Sequence, residues 1–164
     1  MKQVYHGALQ RIEYPLVGVG RENLDFGRGF YVTDIREQAV RWARIKGRYM
    51  LDGVPCVNVY DLDYEGAVAS CRYLRFARYD ASWLRFIVHC RMGQGVWQDY
   101  DIVEGGVAND RVIDTVENYI SGMVSEEFAL AELSRHQPNN QICILNQTIA
   151  DKYLHFVSSE EIKA

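Results

Sequence analysis

The chain has 164 residues and a formal net charge of −4, with 48% hydrophobic and 24% charged residues. This size and balance fit one ordinary globular domain able to bury a core, and they exclude a broadly basic, nucleic-acid-coating protein. Arginine outweighs lysine, so a local anion-binding patch remains open.

Gln3-Val4-Tyr5-His6-Gly7 opens the chain as a short strand. Its His-Gly end can touch a ligand through imidazole and backbone, or can simply be a surface turn. Pro15, Gly18 and Gly20 make the next stretch irregular, and Arg21 follows. In Asp25-Phe26-Gly27-Arg28-Gly29-Phe30-Tyr31-Val32-Thr33 two glycines flank a charge and an aromatic strand begins. Glycine lets backbone approach a ligand closely, and a tyrosine leading out of such a turn can present a flat ring at a cleft. The plainer reading is a tight turn before a core strand.

Asp34 with Glu37 predicts a capping box. The helix that follows carries Ala39, Trp42 and Ala43 on its apolar face, with Arg36, Arg41 and Lys46 elsewhere. Gly47 or Asp52-Gly53 ends it. Residues 55–62 alternate and are β-rich, which predicts a strand. Leu74 to Arg78 is ambiguous. Asp80 caps a helix reaching Arg91, with Trp83, Leu84, Ile87 and Val88 as its buried face. Gly93 and Gly95 mark a loop, Tyr100–Glu104 reads as a strand, and Gly105-Gly106 turns it.

Asn109 or Asp110 caps the next helix, which Gly122 stops. Ser125 caps another, with Glu126 and Glu127 in its dipole-favoured first turn. Residues 141–145 form a strand, and a short polar turn or helix follows. Residues 153–157 form the last strand, before a charged, frayed tail. Strands and helices alternate irregularly, which predicts an α+β fold rather than a doubly wound sheet.

Cys56, Cys71, Cys90 and Cys143 form no CxxC pair, and His89-Cys90 points two ways on a helix, so no metal site is expected. No signal peptide or membrane-length apolar run is visible. A reducing cytoplasmic setting without a membrane partner is therefore expected. No GxxxxGK[ST] loop, HExxH helix or GxSxG elbow occurs. His136 and His155 are isolated.

Three separated pieces remain: Tyr5-His6-Gly7, Phe26-Gly27-Arg28-Gly29-Phe30-Tyr31 and Asn140-Gln141-Ile142-Cys143-Ile144. In that order, with Gln38-Ala39-Val40-Arg41-Trp42-Ala43 between them, they resemble the ADP-ribosyltransferase superfamily in its diphtheria-toxin and poly-ADP-ribose-polymerase branch. The closest overall resemblance is to a bacterial group assigned there, DUF3990, and it covers nearly the whole chain. The resemblance implies a split-sheet fold with peripheral helices around an NAD cleft, with NAD as substrate and no metal. It gives His6 a ribose hydroxyl of NAD, Gly7 the nicotinamide carboxamide, and Tyr31 the nicotinamide ring. Phe26, Gly27 and Gly29 belong to the turn beside the dinucleotide. Arg21 and Arg28 become candidates for the pyrophosphate, or remain solvated charges.

Gln141 stands where the family carries its catalytic glutamate. Cleavage of the nicotinamide–ribose bond passes through an oxocarbenium-like state that a carboxylate stabilises. A glutamine can hold a ribose hydroxyl, but it has no charge and cannot act as a base. Asp110, Glu104, Glu126 and Glu127 are candidate substitutes. The implied activity is mono-ADP-ribosyl transfer to a protein or nucleic-acid acceptor, by a bacterial toxin or effector with an antitoxin partner. The alternative is an inert module binding NAD, ADP-ribose or a nucleic-acid end. An RNA 2′-phosphotransferase-like activity ranks last, because no Arg/His cluster is visible.

Overall fold

The computed structural model describes residues 1–109 and 111–163. Its strands are β1 Lys2–Ala8, β2 Phe30–Val32, β3 Cys56–Leu62, β4 Tyr73–Arg75, β5 Ile102–Gly105, β6 Gln141–Ile144 and β7 Leu154–Glu161. Its helices are α1 Arg36–Tyr49, α2 Tyr64–Ala69, α3 Ala81–Arg91, α4 Ile113–Ile120, α5 Glu126–Leu133 and α6 Gln147–Tyr153. The fold is α+β.

The strands form two open sheets, β1-β3-β7 and β2-β6-β5-β4. The first is antiparallel throughout, and in the second only β4 and β5 run parallel. Period-two alternation builds a layer on each side of each sheet. Val4, Tyr60 and Leu62 from the first sheet meet Phe30, Val32, Ile102, Ile142 and Ile144 from the second. The opposite face of the second sheet offers Val103 and Cys143 to Trp83, Leu84 and Ile87 of α3, Val116 of α4 and Leu133 of α5. The opposite face of the first sheet, through Val57 and Val59, packs on Ala39 and Val40 of α1.

Asp80 and Ser125 cap their helices as expected. Asp80 Oδ1 accepts from Trp83 N at 3.0 Å, and Ser125 Oγ accepts from Phe128 N at 3.1 Å. Asn109 Oδ1 accepts from Arg111 N and Val112 N at the turn that leads into α4.

Asp34 does not cap α1. Its carboxylate pairs with Lys2 Nζ at 3.0 Å, and Thr33 Oγ1 takes the Ile35 amide instead. A long-range ion pair has displaced a local cap. Gly47 lies inside α1, not at its end. A Cβ there would sit 2.7 Å from Pro55, so this glycine serves packing. Helix α2 was not expected at all. The tail is not frayed at its start, because β7 runs to Glu161 against β3 and Ile162 N bonds Pro55 O at 2.8 Å.

Asp101, just before β5, fastens three segments. Its carboxylate accepts from Arg72 N, Nε and Nη2 and from Asn146 Nδ2, at 2.9–3.2 Å. The Arg72 hydrogen bonds hold its carboxyl well below the usual range. A depressed folded-state pKa contributes stability that is present above the unfolded pKa and lost as pH falls through the folded value. Asp101→Asn is therefore expected to destabilise the protein more at pH 7 than near pH 2, where part of the contribution has been lost. Urea unfolding at the two pH values measures the difference. No helix among the described residues is long and apolar enough to cross a membrane.

Candidate functional site

Among the described residues a single backbone bridge ties the two sheets together: Tyr5 N bonds Thr33 O at 2.8 Å and Thr33 N bonds Tyr5 O at 2.9 Å. An antiparallel ladder repeats every two residues. The next rung would join Gly7 to Tyr31, and no backbone bond between these two is made. Side chains hold both carbonyls of that missing rung. His6 Nδ1 bonds Tyr31 O at 2.6 Å, and Lys46 Nζ donates to Gly7 O at 2.8 Å. By alternation from the bridge, the amides of Gly7 and Tyr31 face the gap. A cavity of about 860 Å³ opens where the strands part, with His6, Gly29, Tyr31 and Gln141 in its wall.

His6 faces the gap from β1 and stacks on Phe30, with ring centroids 4.3 Å apart. Loss of surrounding water, with Lys46 nearby, lowers its pKa to about 4. The ring is therefore neutral at pH 7. The Tyr31 carbonyl can only accept, so it fixes the proton on Nδ1 and leaves Nε2 as an acceptor.

Tyr31 spends its hydroxyl internally, donating to Gly27 O and accepting from Phe26 N at 3.2 Å. Burial pushes its pKa well up. Only the ring remains for a ligand. Gln141 opens β6 and is 5% exposed. Its Oε1 has no hydrogen-bond partner, and a buried unpaired carbonyl is costly.

Helix α1 supplies the facing wall with Gln38, Arg41, Trp42, Ile45 and Lys46, one stripe at helical spacing. Its neighbouring stripe, Ala39, Val40 and Ala43, is the one buried on the first sheet. Trp42, expected in the core with these alanines, is half-buried at the cavity. Four cations and two acids line the space: Arg11, Arg41, Lys46 and Arg91 against Glu13 and Asp25. Both acids are spent on arginines. Arg11 pairs with Glu13 at 2.5 Å and Arg91 with Asp25 at 2.6 Å. Asp25 also accepts from Ala108 N at 3.0 Å. Arg41 and Lys46 keep their charge free of any carboxylate among the described residues.

Other expected positions fall elsewhere. Phe26 is fully buried in the core under α3. Gly27 has φ +90 and lies against Trp97, which leaves no room for a Cβ. Gly7 reaches the gap only through its backbone. Arg21 is exposed and outside the cavity wall, and Arg28 pairs with Glu22 at 2.7 Å.

Of the substitute carboxylates, Glu104 lies in a second cavity of about 540 Å³, held by Tyr64, Tyr73 and Asn140. Glu126 pairs with Arg85 at 2.8 Å, and Glu127 is exposed in α5. Asp110 lies outside the described residues. The cavity stripe of α1 and the Asp25–Arg91 pair escaped the sequence reading. The spacing 38, 41/42, 45/46 was the available signal for the first, and the second joins residues too far apart to show one.

No curated protein and no solved structure matches the chain. The family model "Protein of unknown function (DUF3990)" matches residues 2–156, from the first strand into the last, and the chain belongs to the DUF3990 family.

Proposed function

We propose that the protein is an NAD-dependent mono-ADP-ribosyltransferase on an ADP-ribosyltransferase-like split-sheet fold. The observation that carries this reading is the open rung. His6, the Tyr31 ring and Gln141 line one cavity at the point where two sheets part, and the Gly7–Tyr31 backbone pair beside it is unmade. Nε2 of neutral His6 accepts a ribose hydroxyl. The Gly7 amide donates to the nicotinamide carboxamide, and the Tyr31 ring covers the nicotinamide. Arg41 and Lys46 provide positive charge for the diphosphate. The Gln141 amide holds the nicotinamide ribose without charge. Relative to a carboxylate this forgoes about 3 kcal/mol of transition-state stabilisation. A slow enzyme adding single units to a protein or nucleic-acid acceptor fits that, as does a toxin or effector restrained by an antitoxin.

Labelled NAD incubated with the protein and a cell lysate is expected to label a macromolecule. His6→Ala and Tyr31→Ala are expected to lower the label at least about tenfold, the size of one lost hydrogen bond or ring contact. NAD affinity should be flat from pH 6 to 8 and weaken as pH falls toward 4, where His6 becomes charged. An absence of both label and binding heat with NAD would overturn the proposal.

A second reading, an inert NAD- or ADP-ribose-binding module, is favoured by one observation. Glu13 and Asp25, the acids of the cavity wall, are both committed to arginines. Gln141→Glu separates the two. If it switches on NAD hydrolysis in an otherwise silent protein, the natural role is binding.

A further inference from the structure

Arg41, Arg44 and Arg48 stand at i, i+3 and i+7 on α1, one stripe of the helix. All three are exposed, and none makes an ion pair or a side-chain hydrogen bond among the described residues. Most other arginines in the protein are paired: Arg11, Arg28, Arg36, Arg72, Arg85, Arg91 and Arg135 each have a carboxylate. The three line a shallow groove with Val40 and Ile45, where Glu37 is the acid present. A protein of net charge −4 thus keeps a concentrated, unneutralised cationic stripe on one helix.

The neighbouring arc of the same helix is apolar and aromatic. Ile45 is 37% exposed and Tyr49 is 84% exposed. Beyond them Trp42 lines the large cavity, and Arg41 belongs to both the groove and the cavity wall. Charge beside exposed rings is the pattern that binds single strands, with phosphates on the cations and bases on the aromatic faces. From Arg41 to Arg48 the helix rises about 10 Å, room for about three phosphates of a stacked strand. An acidic protein would answer the charge but not the exposed ring beside it.

We propose that the outer face of α1 is a track for single-stranded nucleic acid that ends at the cavity mouth. Binding stands on the charge and aromatic pattern alone. That the bound strand is also the ADP-ribose acceptor rests on the NAD reading above. In that step a nucleophilic nitrogen or oxygen of the strand bonds to the anomeric carbon of the ribose. The bond from that carbon to nicotinamide nitrogen breaks with its electron pair, nicotinamide leaves neutral, and the proton of the nucleophile passes to water.

The test is fluorescence anisotropy with a labelled mixed-sequence single-stranded oligonucleotide, without NAD, from 50 to 200 mM salt. The full chain is expected to bind, with affinity falling steeply with salt. Combined Arg41→Gln, Arg44→Gln and Arg48→Gln should weaken binding at least tenfold and flatten the log–log salt slope by about 2, since each released counterion contributes about 0.7. Tyr49→Ala should weaken it severalfold with the slope unchanged, and Arg85→Gln, on α3, should leave it as it is. Circular dichroism melts confirm that each variant is folded.

No binding by the full chain at 50 mM salt, equal binding by the triple variant, or binding of poly-glutamate in place of the oligonucleotide would each overturn the track. Oligonucleotide binding without any NAD binding would retain the track and remove only its role in transfer.

Discussion

Gly7→Ala is expected to lower stability by about 3 kcal/mol or more, the upper end for forcing a methyl into a filled site. In a domain of this size that is a fall in melting temperature of about 6–12 °C. The ideal Cβ would lie 2.1 Å from Ala39 O and 2.8 Å from Ala43 N. Both are backbone atoms of α1, so no rotamer change relieves the contact and the whole helix must lift. Lifting α1 draws Lys46 off the Gly7 carbonyl and Gln38, Arg41 and Trp42 out of the cavity wall. Near-ultraviolet circular dichroism during melting measures the loss. A melting temperature within about 2 °C of the parent would mean that α1 does not press on β1 as described.

The second large effect is expected at Glu104, which is 2% exposed. Its Oε2 accepts from Tyr64 at 2.6 Å and from Tyr73 at 2.5 Å, and its Oε1 accepts from Asn140 Nδ2 at 3.1 Å. Glu104→Ala removes the acceptor of three donors at once and opens a cavity. A loss of about 3 kcal/mol follows, because two tyrosine hydroxyls bonded to each other at 2.7 Å recover only part of what they lose. Glu104→Gln keeps the shape and one acceptor and should cost less. Urea unfolding of the two variants against the parent gives the ranking. Since Asn140 precedes Gln141, Glu104→Ala should also loosen the start of β6, while the cavity around His6 keeps its other walls.

Legibility tracked the range of the interaction. The caps at Asp80 and Ser125 and the strand over residues 55–62 are decided within a few residues, and the structure has all three, although β3 is buried at nearly every position rather than at alternate ones. Asp34 carries an equally clear local signal, but Lys2, distant in sequence, outcompetes it. Helix α2 has six residues and includes Gly66, too short for a helical period to show. β7 continues through polar residues because β3 supplies its partners, and its own pattern does not reveal that. In the candidate site, His6, Tyr31 and Gln141 stood out as motif positions. Trp42 did not, because it adjoins Ala39 and Ala43 around the helix, and only the packed structure shows which stripe the sheet covers.

The bridge at Tyr5 and Thr33 has a consequence for motion. β1 and β2 form a partly closed zipper with one tooth engaged. His6 and Lys46 occupy the acceptors of the next tooth, so they act as wedges against further zipping. The cavity therefore need not be carved into a rigid wall. Its width is set by a contest between two side-chain bonds and one unmade pair of backbone bonds, energies of similar size. A ligand whose amide and hydroxyl groups satisfy the Gly7 amide and His6 Nε2 takes over the wedges' task, and the amide hydrogens of Tyr5 and Thr33 should exchange more slowly once it is bound.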